Sequence, residues 1–229
     1  MKTFLRWTTI QLPMFVLIAL FFGQTPAHAS VIQLTTTLPP PAGAYFLASP
    51  ICLTPVCLTN ISVFGFHNTS DVFSSGNELV ITNAVFGAKV FQNTAGSPGT
   101  LLGALTLSGT MDFTYFGRSS PGQLGTFNAQ ITAFTFTGTF NGHAIGVMQN
   151  PNIATTGQTT ILPIRDNVYE VSSFFDVFAQ LSIDNGPFVP GPERHAELHE
   201  LPEPGSVSLM VVGLVGLAGL ARSTRRRRG

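Results

Sequence analysis

Charge is what this sequence has least of. Only 10% of its 229 residues are Asp, Glu, Lys or Arg, against ~25% in an average soluble protein. Basic residues are scarcest in the interior: residues 30–204 hold Lys89, Arg118, Arg165 and Arg194 against all 11 acids, so 4 − 11 = −7. The whole-chain net charge of +0 hides this segregation. Nucleic-acid binding relies on phosphate neutralisation by Lys and Arg, so an acidic interior argues against that partner. A helical period is missing between residues 30 and 200. Also missing are a G-x-S-x-G elbow and a Gly-rich phosphate loop, which leaves the chain without a catalytic or cofactor signature. With one Trp and three Tyr, it lacks the aromatic girdles of an outer-membrane barrel.

What is present begins at the ends. Lys2 and Arg6 precede an apolar run from Met14 to Phe22, then a Gly23–Pro26 break and Ala27-His28-Ala29. This is the order of a secretory signal peptide, residues 1–29, with an A-x-A site that places cleavage between Ala29 and Ser30. The apolar run is too short for the ~20 residues of a membrane-spanning helix. At the other end Pro202-Glu203-Pro204 leads into the apolar stretch Val207–Ala221, then Arg222 and Arg225, Arg226, Arg227 and Arg228. As a helix this stretch reaches ~22 Å, short of the ~30 Å hydrocarbon core. Gly213, Gly216 and Gly219 weaken it further, each by roughly 1 kcal/mol relative to Ala. The arginines belong on the cytoplasmic side. Such a span suits temporary retention better than permanent anchorage.

The ordered set over residues 202–229 resembles the PEP-CTERM sorting signal of Gram-negative bacteria. That resemblance implies recognition by an exosortase at the inner membrane, with Pro202, Glu203 and Pro204 as the motif and Arg225 to Arg228 as the membrane stop. It further implies removal of the tail and delivery to the cell surface or the extracellular polysaccharide matrix.

Between the ends, two-residue alternation marks half-buried strands. Leu105, Leu107, Met111, Phe113 and Tyr115 share one face, with Thr106, Ser108, Thr110, Asp112 and Thr114 on the other. From Phe127 through Ile131 the apolar phase is odd; from Phe134 it is even, which predicts a bulge or bend near Ala133. A third run carries Val171, Phe175, Val177, Leu181 and Ile183 in one phase. Shorter candidates are 61–66, 79–91 and 160–164. Turn signals separate them at Ser75-Gly76-Asn77, Ser97-Pro98-Gly99, Pro121-Gly122, Asn141-Gly142 and Asp184-Asn185-Gly186. The reading is an all-β, antiparallel β-sandwich of jelly-roll or Ig-like type over residues 30–187, with a closed barrel as the alternative. A signal helix and a transmembrane helix flank it. Thr35–Ala48 reads as an extended lead-in and 188–201 as a Pro-rich linker.

Few residues suggest chemistry. Cys52 and Cys57, the only cysteines, point to a disulfide once the chain is exported. His195 and His199 with Glu193, Glu197 and Glu200 invite a metal reading, but H-x-E-x-H is not H-E-x-x-H, and a solvated spacer fits better. No metal and no cofactor is assigned. His67 and His143 stand alone near turns. Asp112, Asp166, Glu170 and Asp176 are the interior acids whose convergence in a cleft would open glycoside chemistry. The functional expectation is a non-enzymatic structural or adhesive surface protein. A carbohydrate-binding or polysaccharide-modifying domain is the alternative.

Overall fold

The computed structural model describes residues 30–47 and 49–200. Among them every regular element is a strand: β1 Ser30–Gln33, β2 Gly43–Leu47, β3 Ile51–Leu53, β4 Val56–Ser74, β5 Asn77–Thr94, β6 Ser97–Phe116 and β7 Gly125–Phe140. These are followed by β8 His143–Gln149, β9 Thr155–Arg165, β10 Val168–Val177, β11 Ala179–Ile183, β12 Val189–Pro190 and β13 Arg194–Glu200. The fold is all-β and every pairing is antiparallel, as the alternation predicts. The two flanking helices, Ala27 and Ala29, Pro202, Glu203 and Pro204, and Arg225, Arg226, Arg227 and Arg228 lie outside the described residues.

Three long hairpins dominate. Two-residue turns with positive φ join β4 to β5 (Ser75 53°, Gly76 77°), β5 to β6 (Ala95 53°, Gly96 84°) and β7 to β8 (Asn141 50°, Gly142 85°). Turns of this hand match the twist of the strands they connect. The middle one corrects an expectation. Asn93 Oδ1 accepts from Gly96 N at 2.8 Å, closing the turn at Ala95-Gly96, while Ser97-Pro98-Gly99 belongs to β6.

Strands β4 to β8 are neighbours in chain order, a meander, and not the Greek-key order of an Ig-like or jelly-roll sandwich. The pairing path also closes. Strand β9 pairs with both β7 and β10, and the circuit returns through β13, β2, β4, β5 and β6 to β7. The molecule is sandwich-like in having two walls around one core, but those walls belong to one continuous sheet. At the seam Gly157 of β9 lets backbones approach; an added Cβ would lie 2.0 Å from the Phe174 carbonyl oxygen.

The expected phase change is a bulge. Asp112 pairs with Ala133 and Phe113 with Ile131, so Thr132 is the extra residue on β7. Phe127, Ala129 and Ile131 before it and Phe134 and Phe136 after it are all buried. One extra residue thus keeps both halves of the strand facing the core.

Residues 188–200 of the expected linker are not an unstructured spacer. They supply β12 and β13, and β13 lies between β10 and β2. Its alternation is carried by Ala196 and Leu198, both buried, between charged and imidazole side chains that mask the pattern. Likewise the lead-in contains β2, whose Tyr45 is a core residue.

Inside, Phe113 lies 5.7 Å (centroids) from Phe175, 6.0 Å from Tyr115 and 6.5 Å from Tyr45. These rings join β6, β10 and β2 across the interior, and each such pair contributes about 0.5–1.5 kcal/mol beyond simple burial.

Candidate functional site

The two ends of the barrel differ. At one, the β3–β4 hairpin carries the Cys52–Cys57 disulfide, as its export-based reading expects. At the other, the chain leaves β4 at Ser74, enters β5 at Asn77, leaves β6 at Phe116 and enters β10 at Val168. A cleft of about 360 Å³ opens there, lined by Thr35, Thr36, Asp71, Glu78, Arg118 and Tyr169, among others.

Register explains the floor of this cleft. Glu78 shares the inward phase of β5 with Val80, Thr82, Ala84 and Phe86, and pairs with Phe73 on one side and Tyr115 on the other. A carboxyl group therefore enters the interior where an apolar side chain is the usual occupant. After β6, Gly117 turns the chain at φ 79° while its N–H is accepted by Asn77 Oδ1 at 3.0 Å. Gln123 holds the loop shut, accepting from Ser119 N at 2.7 Å and donating to the Gly117 carbonyl at 3.0 Å. Arg118 is thereby folded back over the barrel end.

Arg118 and Glu78 form a buried ion pair, each side chain 1% exposed. Arg118 Nη1 donates to Glu78 Oε2; Nη2 donates to the carbonyls of Thr36 at 2.7 Å and Pro121 at 2.6 Å. The guanidinium also lies over the Phe73 ring, 5.8 Å from its centroid. One side chain thus ties the segment after β1, the β6–β7 loop and β5 together.

The ties are incomplete. Glu78 Oε1, Arg118 Nε and Tyr115 Oη are buried without a hydrogen-bond partner, a situation rare enough in folded proteins to require a reason. Burial is the main cause pushing the Glu78 carboxyl up to about 7; Arg118 opposes the rise and the Asp71 carboxylate adds to it. Burial likewise holds the Tyr115 hydroxyl well above the ordinary tyrosine range. Deeper in, a satisfied polar layer begins: Tyr45 Oη donates to Ser173 Oγ at 3.1 Å, and Ser173 bonds Thr159 Oγ1 at 2.7 Å.

The residues singled out in the sequence do not converge. Asp112, Glu170 and Asp176 occupy the strand phase facing away from the core, on β6 and β10, and Asp166 sits in the β9–β10 turn. His195, Glu197 and His199 share the outer face of β13. His195 Nδ1 is 2.8 Å from Asp176 Oδ1, and its Nε2 is 3.5 Å from Glu197 Oε1. Among the described residues no group of three His, Cys, Asp or Glu side chains is placed to hold a metal ion. His67 is exposed; His143 Nδ1 lies 2.8 Å from Asp184 Oδ2 at the disulfide end, and this contact is the main cause lowering the Asp184 carboxyl.

Sequence reasoning missed Asp71, Glu78 and Arg118. Usable signals existed. Glu78 stands in the inward phase of β5, and Arg118 is one of four basic residues between 30 and 204. Comparison with family models, curated proteins and solved structures gives no match for this chain.

Proposed function

We propose that the chain is an exported surface component, delivered by an exosortase, whose barrel acts as a structural or adhesive element of the cell surface or matrix. One observation carries this reading. The closed circuit of strand pairings is complete within residues 30–200, between the expected signal cleavage after Ala29 and the expected motif at Pro202. Cleavage after Ala29 and removal of a tail from Pro202 onward would leave every described strand pairing intact. The reading assigns no catalysis, in keeping with acids that scatter over the outer face. Asp71 and Glu78 do share a cleft. Glu78, however, is locked to Arg118 in a buried ion pair.

Mass spectrometry of native surface material tests the reading. It should show a start at Ser30 and loss of Arg225 to Arg228. An intact arginine terminus in surface material would overturn it. Replacing Pro202, Glu203 and Pro204 with alanine should trap the protein in the inner membrane.

A further inference from the structure

The cleft is a built site with a particular chemistry, and we propose that it binds one unit of a neutral polyhydroxylated ligand, a sugar ring. The inference relies on the surface reading only for where the sugar comes from, an extracellular glycan.

Size comes first: about 360 Å³ falls within the ~300–1,000 Å³ of small-molecule sites. Next comes the pattern of free valences. The floor offers an unsatisfied acceptor, Glu78 Oε1, and an unsatisfied donor, Arg118 Nε, on side chains that are themselves 1% exposed and both line the cleft. A hydroxyl group both donates and accepts, and two neighbouring hydroxyls engage such a pair together. Leaving these atoms unpaired carries their full desolvation penalty, which a ligand that completes them recovers.

Charge then narrows the class. Asp71 and Glu78 disfavour an anion; Arg118 disfavours a cation. Three charged groups of mixed sign in one small cleft leave no single-sign field to hold a fully charged molecule. The walls, Thr35, Thr36, Thr37 and Tyr169, add hydroxyls and one aromatic side chain. Arg118 is already pinned by the Thr36 and Pro121 carbonyls, so binding requires little ordering of the floor.

The larger groove at the disulfide end, about 550 Å³ and lined by Leu53, Leu102, Phe140 and Val189, lacks such a paired donor and acceptor.

The test uses the full chain, 15N-labelled, in a detergent without a sugar head group. Glucose and galactose serve as neutral probes, galacturonate and glucosamine as their charged counterparts. At least one neutral sugar should give saturable amide shifts centred on Thr36, Thr37 and Gly122, with a Kd on the order of 1–10 mM. Both charged counterparts should bind about tenfold more weakly or worse. Tyr169→Ala should weaken the neutral sugar about tenfold while amides at the disulfide end stay in place. Asp71→Asn, which removes one negative charge from the cleft, should improve galacturonate several-fold. The proposal is overturned by the absence of saturable shifts with all four probes at about 100 mM, by shifts centred elsewhere, or by a charged sugar binding best. Surface delivery and tail removal would be untouched by such a failure, so the two readings fall separately.

Discussion

The two ends of the barrel interior are equally buried and built from opposite materials. Near the disulfide, Phe86, Met111, Phe134, Phe136 and Val147 enclose an apolar space with a cavity of about 50 Å³. At the cleft end, Glu78, Tyr115 and Arg118 close the interior with an ion pair. An apolar core gains by each group it adds and loses by each group removed. A buried ion pair behaves differently: half of it is worse than none, because the remaining charge stays desolvated. The molecule thus holds one end by buried area and the other by an ion pair whose two members depend on each other.

The sharpest way to break the contrast is to remove one member from each end. Arg118→Met should cost about 3–5 kcal/mol near pH 8, because Glu78 must then stay buried as an unpaired charge or take up a proton against the pH. Phe136→Ala should cost a similar ~3–5 kcal/mol through the cavity it opens. Only the first should be rescued by a second change: Glu78→Leu combined with Arg118→Met should restore most of the stability in urea unfolding, and failure to do so would sink the contrast. Titration separates the ends as well. With its carboxyl pushed up to about 7, Glu78 keeps a proton in the folded state that the unfolded chain releases near pH 4.5. Stability should therefore fall as pH rises from about 4.5 to about 7, by at most ~1.4 kcal/mol per pH unit, and level off above. Glu78→Gln should flatten that slope, whereas Phe136→Ala should leave it unchanged.

Smaller effects sharpen the map. Replacing Cys52 and Cys57 with alanine should cost roughly 2 kcal/mol, from loop closure over a sequence separation of 5. Hydrogen exchange should report the loss at the β3–β4 hairpin and not around Glu78. Asp176→Asn removes the half-exposed partner of His195 and should change stability by less than about 1 kcal/mol. A larger effect on urea unfolding would give the outer face of β13 a structural weight that its exposure argues against.

How legible the fold was depended on which residues carried each strand. Leu105 to Tyr115 alternate cleanly, and their apolar set faces the core. The phase change near Ala133 announced the bulge at Thr132. Strand β13 was illegible because its outward residues are Arg194, His195, Glu197 and His199, and only Ala196 and Leu198 signal the inner face. A Pro-rich neighbourhood and a dense set of charges read as solvated chain, yet those charges occupy the outer side of a central strand. The cleft was less legible still. Glu78 and Arg118 are 40 residues apart, and neither belongs to a recognisable motif.

By itself, the sequence determined the all-β class, the inward set of β6, β7 and β10, most of the hairpin turns and the pairing of the two cysteines. Each of these depends on neighbours a few residues apart, through the two-residue period of a strand or the φ preference of Gly and Asn. Only the tertiary structure decided that the sheet closes through β9 and β13, and that Arg118 meets Glu78 over the open end. Closure depends on which distant edges find each other. A buried charge is stable only where a folded-back loop delivers its partner, and no local pattern encodes that meeting.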